Sequence, residues 1–221
     1  MLRKILLSSQ LLILTACILF SQTPSELRDI QVSFYKNRID SLCSNYADNK
    51  NLNPTFELQT LIALSYYPEL KGTKVRFIRK SINTTAACRP TWTFLFKRRN
   101  QRVYKIYINN DPEKIKGAML EEIPFDAQIG LIGHELGHIV DYSGTSALGI
   151  IATGFRYLFI SGRAKVEKRV DNITIAHHLG WQLYDFDDFI FNRSKVSRDY
   201  KDYKRRVYYK PEELLQLIGQ K

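Results

Sequence analysis

Ile129-Gly130-Leu131-Ile132-Gly133-His134-Glu135-Leu136-Gly137-His138-Ile139-Val140-Asp141 is the stretch from which the rest of the chain is read. Apolar residues frame two histidines four positions apart. Residues so spaced lie one above the other on a helix, so both imidazoles project from one face and can bind a single Zn²⁺. Glu135, one position past His134, is turned about 100° around the same helix. It can therefore take a proton from a zinc-activated water without being a ligand itself. The chain has four histidines, and two fall at this spacing. The pattern predicts a helix over residues 126–142, with His134 and His138 as metal ligands and Glu135 as catalytic general base.

A hydrolytic zinc site uses three protein ligands and leaves a position for water, so a further ligand is expected downstream. In Glu167-Lys168-Arg169-Val170-Asp171 the ExxxD spacing puts Glu167 and Asp171 on one helical face. Glu167 is the candidate third ligand, and Asp171 the acceptor for the second ring N–H of a zinc histidine. Asp141 and Asp171 remain rival ligands. The plainer alternative is a solvated helix face on which Glu167 and Asp171 pair with Lys168 or Arg169. An oxyanion donor is also needed, and Tyr142, Tyr157, His177, His178 and Tyr184 are candidates that no spacing separates.

A metzincin would carry a glycine at 141 and a histidine at 144, where this chain has Asp141 and Gly144. HExxH at 134–138 followed by ExxxD at 167–171 instead resembles the gluzincin class of zinc metallopeptidases, the thermolysin-like clan, and its compact single-domain members in particular. The resemblance covers about ten motif residues and a strand-then-helix order over residues 74–183. It implies Zn²⁺ held by His134, His138 and Glu167, with Glu135 as general base, and a zincin-like fold. It also implies an edge strand just before the zinc helix that aligns a peptide substrate, a role falling by position to Arg102–Ile108.

Outward from the motif, Lys74–Arg79, Thr91–Phe96 and Arg102–Ile108 alternate or are β-branched and aromatic, which predicts strands. The polar residues 97–101 between the last two predict a hairpin. Residues 24–46 and the run opened by Asn53-Pro54 and stopped by Pro68 read as helices, as do Ala147–Ile160 and residues 163–183. The expected fold is α+β: a small, mainly antiparallel sheet packed on the HExxH and ExxxD helices. The 28 residues between His138 and Glu167 are a candidate lid, with residues 143–162 at its centre.

Length and composition fit one domain. With 221 residues, 44% hydrophobic and 25% charged, the chain is neither disordered nor a multi-span membrane protein. Arg3-Lys4, the apolar Ile5–Phe20 and the polar exit at Ser21 read as a signal peptide over residues 1–21. A zinc metallopeptidase domain over 22–221 would then be exported, to a periplasmic, cell-envelope or secreted location. Leu14-Thr15-Ala16-Cys17 resembles a lipobox, which would lipidate Cys17. Past the leader, Cys43 and Cys88 could pair in an oxidising compartment or stay as buried thiols.

The net charge of +11 favours acidic partners without naming one. The basic, tyrosine-rich stretch from Arg193 to Lys221 reads as a solvated terminal surface rather than a nucleic-acid site. The expected partner is a peptide or protein substrate, with membrane association through Cys17 or the apolar 147–160 run as a further reading. The competing functional readings are an exported non-catalytic protein with a structural zinc, and a membrane-apposed peptidase.

Overall fold

A computed structural model describes residues 25–219, so the signal peptide, the lipobox with Cys17, and Gln220-Lys221 lie outside the described residues. The architecture is α+β, with one four-stranded sheet and helices that dominate the second half of the chain.

The first unit is helical. Helices α1 (Val32–Lys36) and α2 (Ile39–Tyr46) replace the single helix expected over 24–46. The break falls at Asn37-Arg38, where the Arg38 guanidinium lies over the Phe34 ring at 3.7 Å. Asn53 acts as foreseen: its side chain accepts from the Thr55 amide at 2.9 Å and opens a short 3₁₀ turn, Pro54–Phe56. Helix α3 (Glu57–Ser65) follows. Its residues Leu61, Ile62, Ala63 and Leu64 are almost fully buried, and each such Leu or Ile contributes about 1.5–3 kcal/mol of apolar burial.

The strands are β1 (Lys50–Asn51), β2 (Lys74–Arg79), β3 (Ala86–Pro90) and β4 (Val103–Ile108), in the order β1-β2-β4-β3. β1 runs parallel to β2 and β2 parallel to β4, while β3 and β4 are antiparallel. The sheet is thus mixed rather than mainly antiparallel. The Lys50 ammonium fastens β1 by donating to the carbonyls of Asp48, Leu70, Lys71 and Thr73.

Two strand expectations fail together. Thr91–Phe96 is not a strand: Trp92–Leu95 forms a 3₁₀ turn with Trp92, Leu95 and Phe96 exposed. The antiparallel partner of β4 is instead Ala86–Pro90, a segment of low strand propensity. Packing wins over propensity here, because small Ala86 and Cys88 are buried in the main core with α4. As a result β4 has neighbours on both sides, and the edges are β1 and β3, the latter ending in Pro90 as an edge tolerates. The edge role expected of Arg102–Ile108 does not fall there.

Helix α4 (Phe125–Gly144) carries the HExxH motif and is buried over most of its length. Its glycines let neighbours approach. A Cβ on Gly130 would lie 2.1 Å from the backbone carbonyl oxygen of Gln182, and one on Gly137 would meet Val170 Cγ1 at 3.1 Å and Thr174 Oγ1 at 3.2 Å. The helix expected over 163–183 is two: α6 (Ile160–Ala176) and α7 (Gly180–Asp188), after the short α5 (Ala147–Arg156). His178 has φ +61°, its N–H bonds the Ile175 carbonyl, and the Leu179 N–H bonds the Thr174 carbonyl. That is a Schellman ending with histidine where glycine is usual. A five-residue π turn (Phe189–Arg193) leads to α8 (Arg198–Val207) and α9 (Pro211–Gly219).

Cys43 and Cys88 are both free thiols, so the pairing weighed from composition does not form. Cys43 sits half-buried on α2 and Cys88 is buried on β3, where burial and nearby Glu135 push its thiol upward.

Candidate metal centre

His134 and His138 project from one face of α4 toward α6, as their four-residue spacing requires. The close approach at Gly137 brings Glu167 and Asp171 of α6 against them. Glu167 Oε2 lies 3.1 Å from His134 Nε2 and 3.3 Å from His138 Nε2. One ligand atom from each of the three residues falls within 4.8 Å of the others, and all three residues are buried. Such a group could hold a metal ion.

The chemistry of this donor set supports that fit. Two imidazole nitrogens and a carboxylate oxygen share a pocket from which solvent is nearly excluded, each offering a lone pair to the same space. Burial alone would raise the Glu167 carboxyl, yet His138 and His134 hold it well below the usual carboxylate range. Burial likewise disfavours a charged His134, but Asp171 and Glu167 outweigh it and raise that imidazole well above the usual histidine range. The centre calls for positive charge, from protons or from a metal ion.

The supporting shell is as close. Asp171 Oδ1 lies 2.8 Å from His134 Nδ1, the ring nitrogen turned away from Glu167. The Tyr157 hydroxyl donates to Glu167 Oε1 at 2.7 Å, leaving Oε2 toward the histidines. Arg163 in turn donates to the Tyr157 carbonyl at 2.7 Å, so the segment expected to form a lid is fastened at Tyr157. Glu135 is buried beside this group with Oε2 lacking a protein partner. Its pKa is raised by burial, against the opposing pull of His138 and His134.

The rival ligand Asp141 is occupied elsewhere. Arg169 grips it with two hydrogen bonds of 2.8 Å, and Lys168 lies 3.9 Å from Glu213. The plain surface reading of Glu167 and Asp171 therefore fails, because the basic neighbours on α6 face outward while the two acids face in.

Of the oxyanion candidates, Tyr157 and Tyr142 reach the centre, Tyr142 with its ring stacked 6.1 Å from that of His138. The other three do not. His177 stacks on Tyr67 at 4.2 Å and meets Glu69 Oε1 at 2.6 Å. His178 faces Glu26 at 4.0 Å, and Tyr184 lies by Arg28 and Trp181.

The C-terminal stretch is not the solvated surface its composition suggested. Tyr208 stands 5.9 Å from the His134 ring. Lys204 is buried, with Nζ 2.6 Å from Asp187 Oδ1 and close over Phe186 and Tyr208. A cavity of about 30 Å³ beside His134 is lined by His134, Glu135, Asp171, Asp187, Lys204 and Tyr208 among others. The signal was present in the sequence: Tyr200, Tyr203, Lys204 and Val207 fall at helical spacing, so the lysine lies within the buried stripe.

No protein family, curated protein or solved structure matches the chain. The arrangement of these side chains is what the functional reading rests on.

Proposed function

We propose that the chain is an exported zinc-dependent metallopeptidase, similar in its site to the gluzincins, with His134, His138 and Glu167 holding Zn²⁺ and Glu135 as general base. The observation that carries this reading is the convergence of three donors with a fourth, non-converging carboxylate beside them. Ligands at about 2.0–2.1 Å from a tetrahedral zinc lie roughly 3.3 Å apart, and the two histidine–Glu167 separations of 3.1 and 3.3 Å match that edge. A structural zinc would have no use for a buried carboxylate next to the first ligand.

When bound, Zn²⁺ supplies Lewis acidity, which lowers the pKa of a water and polarises a carbonyl. Glu135 accepts the proton of the attacking water and passes it to the departing amine. Asp171 fixes the tautomer and orientation of His134 so that Nε2 faces the centre. Tyr157 orients Glu167 through Oε1, and Tyr142 and Tyr208, whose rings stand beside His138 and His134, are the further tyrosines for a developing oxyanion. A peptide substrate would align along β3, an edge strand packed on α4, by adding main-chain hydrogen bonds to it.

Elemental analysis of the purified chain beside Glu167→Ala tests the reading. One zinc per chain, lost or greatly weakened in the variant, is expected. Zinc retained fully in the variant would remove Glu167 from the ligand set, and no zinc in either after metal is supplied would end the peptidase reading.

A further inference from the structure

The chain on either side of Tyr157 is apolar and outward-facing. On α5, Leu148, Ile151 and Phe155 are exposed while Ile150 and Thr153 are buried, and exposed Leu158, Phe159 and Ile160 follow. The helix thus lies along the protein with an apolar stripe outward. The 92–96 turn has the same character, with Trp92 72% and Phe96 80% exposed and their rings in edge contact at 6.2 Å. Buried Arg102 links the two regions: it closes the segment after that turn and donates to the carbonyls of Tyr142 and Thr145 at 3.0 and 2.7 Å, just before α5 begins.

Charge decides which partner suits such a surface. Residues 71–110 and 142–166 contain no Asp or Glu, while Lys97, Arg98, Arg99 and Arg156 stand exposed among the apolar side chains. Aromatic and aliphatic groups rimmed by cations, without acids, complement the anionic headgroup region of a bilayer. No helix among the described residues is long and apolar enough to cross a membrane, so the contact is interfacial.

We infer that α5, the Leu158–Ile160 turn and the 92–99 segment form one surface that docks on an anionic lipid bilayer. Tyr157 contacts Glu167, so docking sets the candidate metal centre beside the membrane and restricts it to membrane-proximal peptides. The restriction on substrates rests on the peptidase reading, whereas the docking itself does not.

The test uses the full chain carrying Trp181→Phe, which leaves Trp92 as its one tryptophan, and vesicles of bromine-labelled phosphatidylcholine with or without phosphatidylglycerol. The expected result is a blue shift and quenching of Trp92 on the anionic vesicles, with partitioning about tenfold stronger than on neutral ones and weakening as salt rises. Phe155→Ser with Phe159→Ser, and independently Arg98→Glu with Arg99→Glu, should each lower partitioning about tenfold. Vesicle binding with Trp92 unquenched and both variants unchanged would place the contact on another segment and overturn the inference. Equal quenching of Trp92 on neutral vesicles would also overturn it. So would concentration-dependent self-association, lost in the Phe variant, without any vesicle response, since the surface would then belong to a second copy. None of these readings needs metal or hydrolysis, so failure of the zinc analysis and failure of docking are separate results.

Discussion

Helices α5 and α6 follow one another in the chain and meet solvent in opposite ways. The more apolar α5 leaves Leu148 77% exposed and Phe155 63% exposed, while the more polar, charge-rich α6 buries Val166, Glu167, Val170 and Asp171. Average hydrophobicity is thus not what buries a segment. The partner is: α6 lies on the glycine-bearing face of α4, which admits it closely and supplies two imidazoles for its acids. α5 lies beyond the end of α4 and has only Ile150 and Thr153 to bury. One helix turns its acids onto a buried group that could hold a metal ion, and the other leaves an apolar stripe exposed.

The comparison breaks most readily at the buried end. Glu135→Gln removes the proposed base and no proposed ligand, so on the peptidase reading hydrolysis should fall about 10²–10⁴-fold with metal content unchanged; activity near wild type would show that the buried acid beside the histidines is not the base. Gly130→Ala attacks the packing that admits a neighbouring helix. Its Cβ would collide with backbone rather than a flexible side chain, so a loss of about 3 kcal/mol is expected in urea unfolding. A loss below about 0.5 kcal/mol would mean that α7 is not seated against α4 as described.

Smaller effects sharpen the contrast. Asp171→Ala should weaken metal affinity about 10–100-fold through loss of orientation at His134, measured by competition with a chelator; unchanged affinity would reduce Asp171 to a buried acid without a function. Leu148→Ser, on the exposed stripe of α5, should shift stability by no more than about 0.5 kcal/mol. A larger loss would show that the stripe is covered within the chain, erasing the difference between the two helices.

The site was legible to an unequal degree. His134, Glu135 and His138 follow from helical period alone, and the ExxxD spacing puts Glu167 and Asp171 on one face in the same way. That Glu167, and not Asp141, reaches the histidines needed the third dimension, because Arg169 occupies Asp141 across 28 residues of chain. Lys204 and Tyr208 lie in a basic stretch whose charge masks its helical stripe, and Asp187 meets Lys204 only through the packing of α8 on α7. For the sheet, β2 and β4 read correctly from alternation, but the strand at 86–90 did not, since alanine and cysteine carry weak strand preference and pair there only because the helix above needs small residues.

What the sequence by itself determined is whatever one regular helix dictates: the common face of His134 and His138, the offset of Glu135, and the pairing of Glu167 with Asp171. Those relations hold because the helical repeat fixes directions over four residues regardless of surroundings. The tertiary structure decided which face meets which: that α6 crosses α4 at Gly137, that β3 and not β4 lies at an edge, that the chain reverses at His178, and that an apolar helix stays outside. These depend on how closely backbones approach and on which buried groups find partners, and both are properties of residues far apart in the chain.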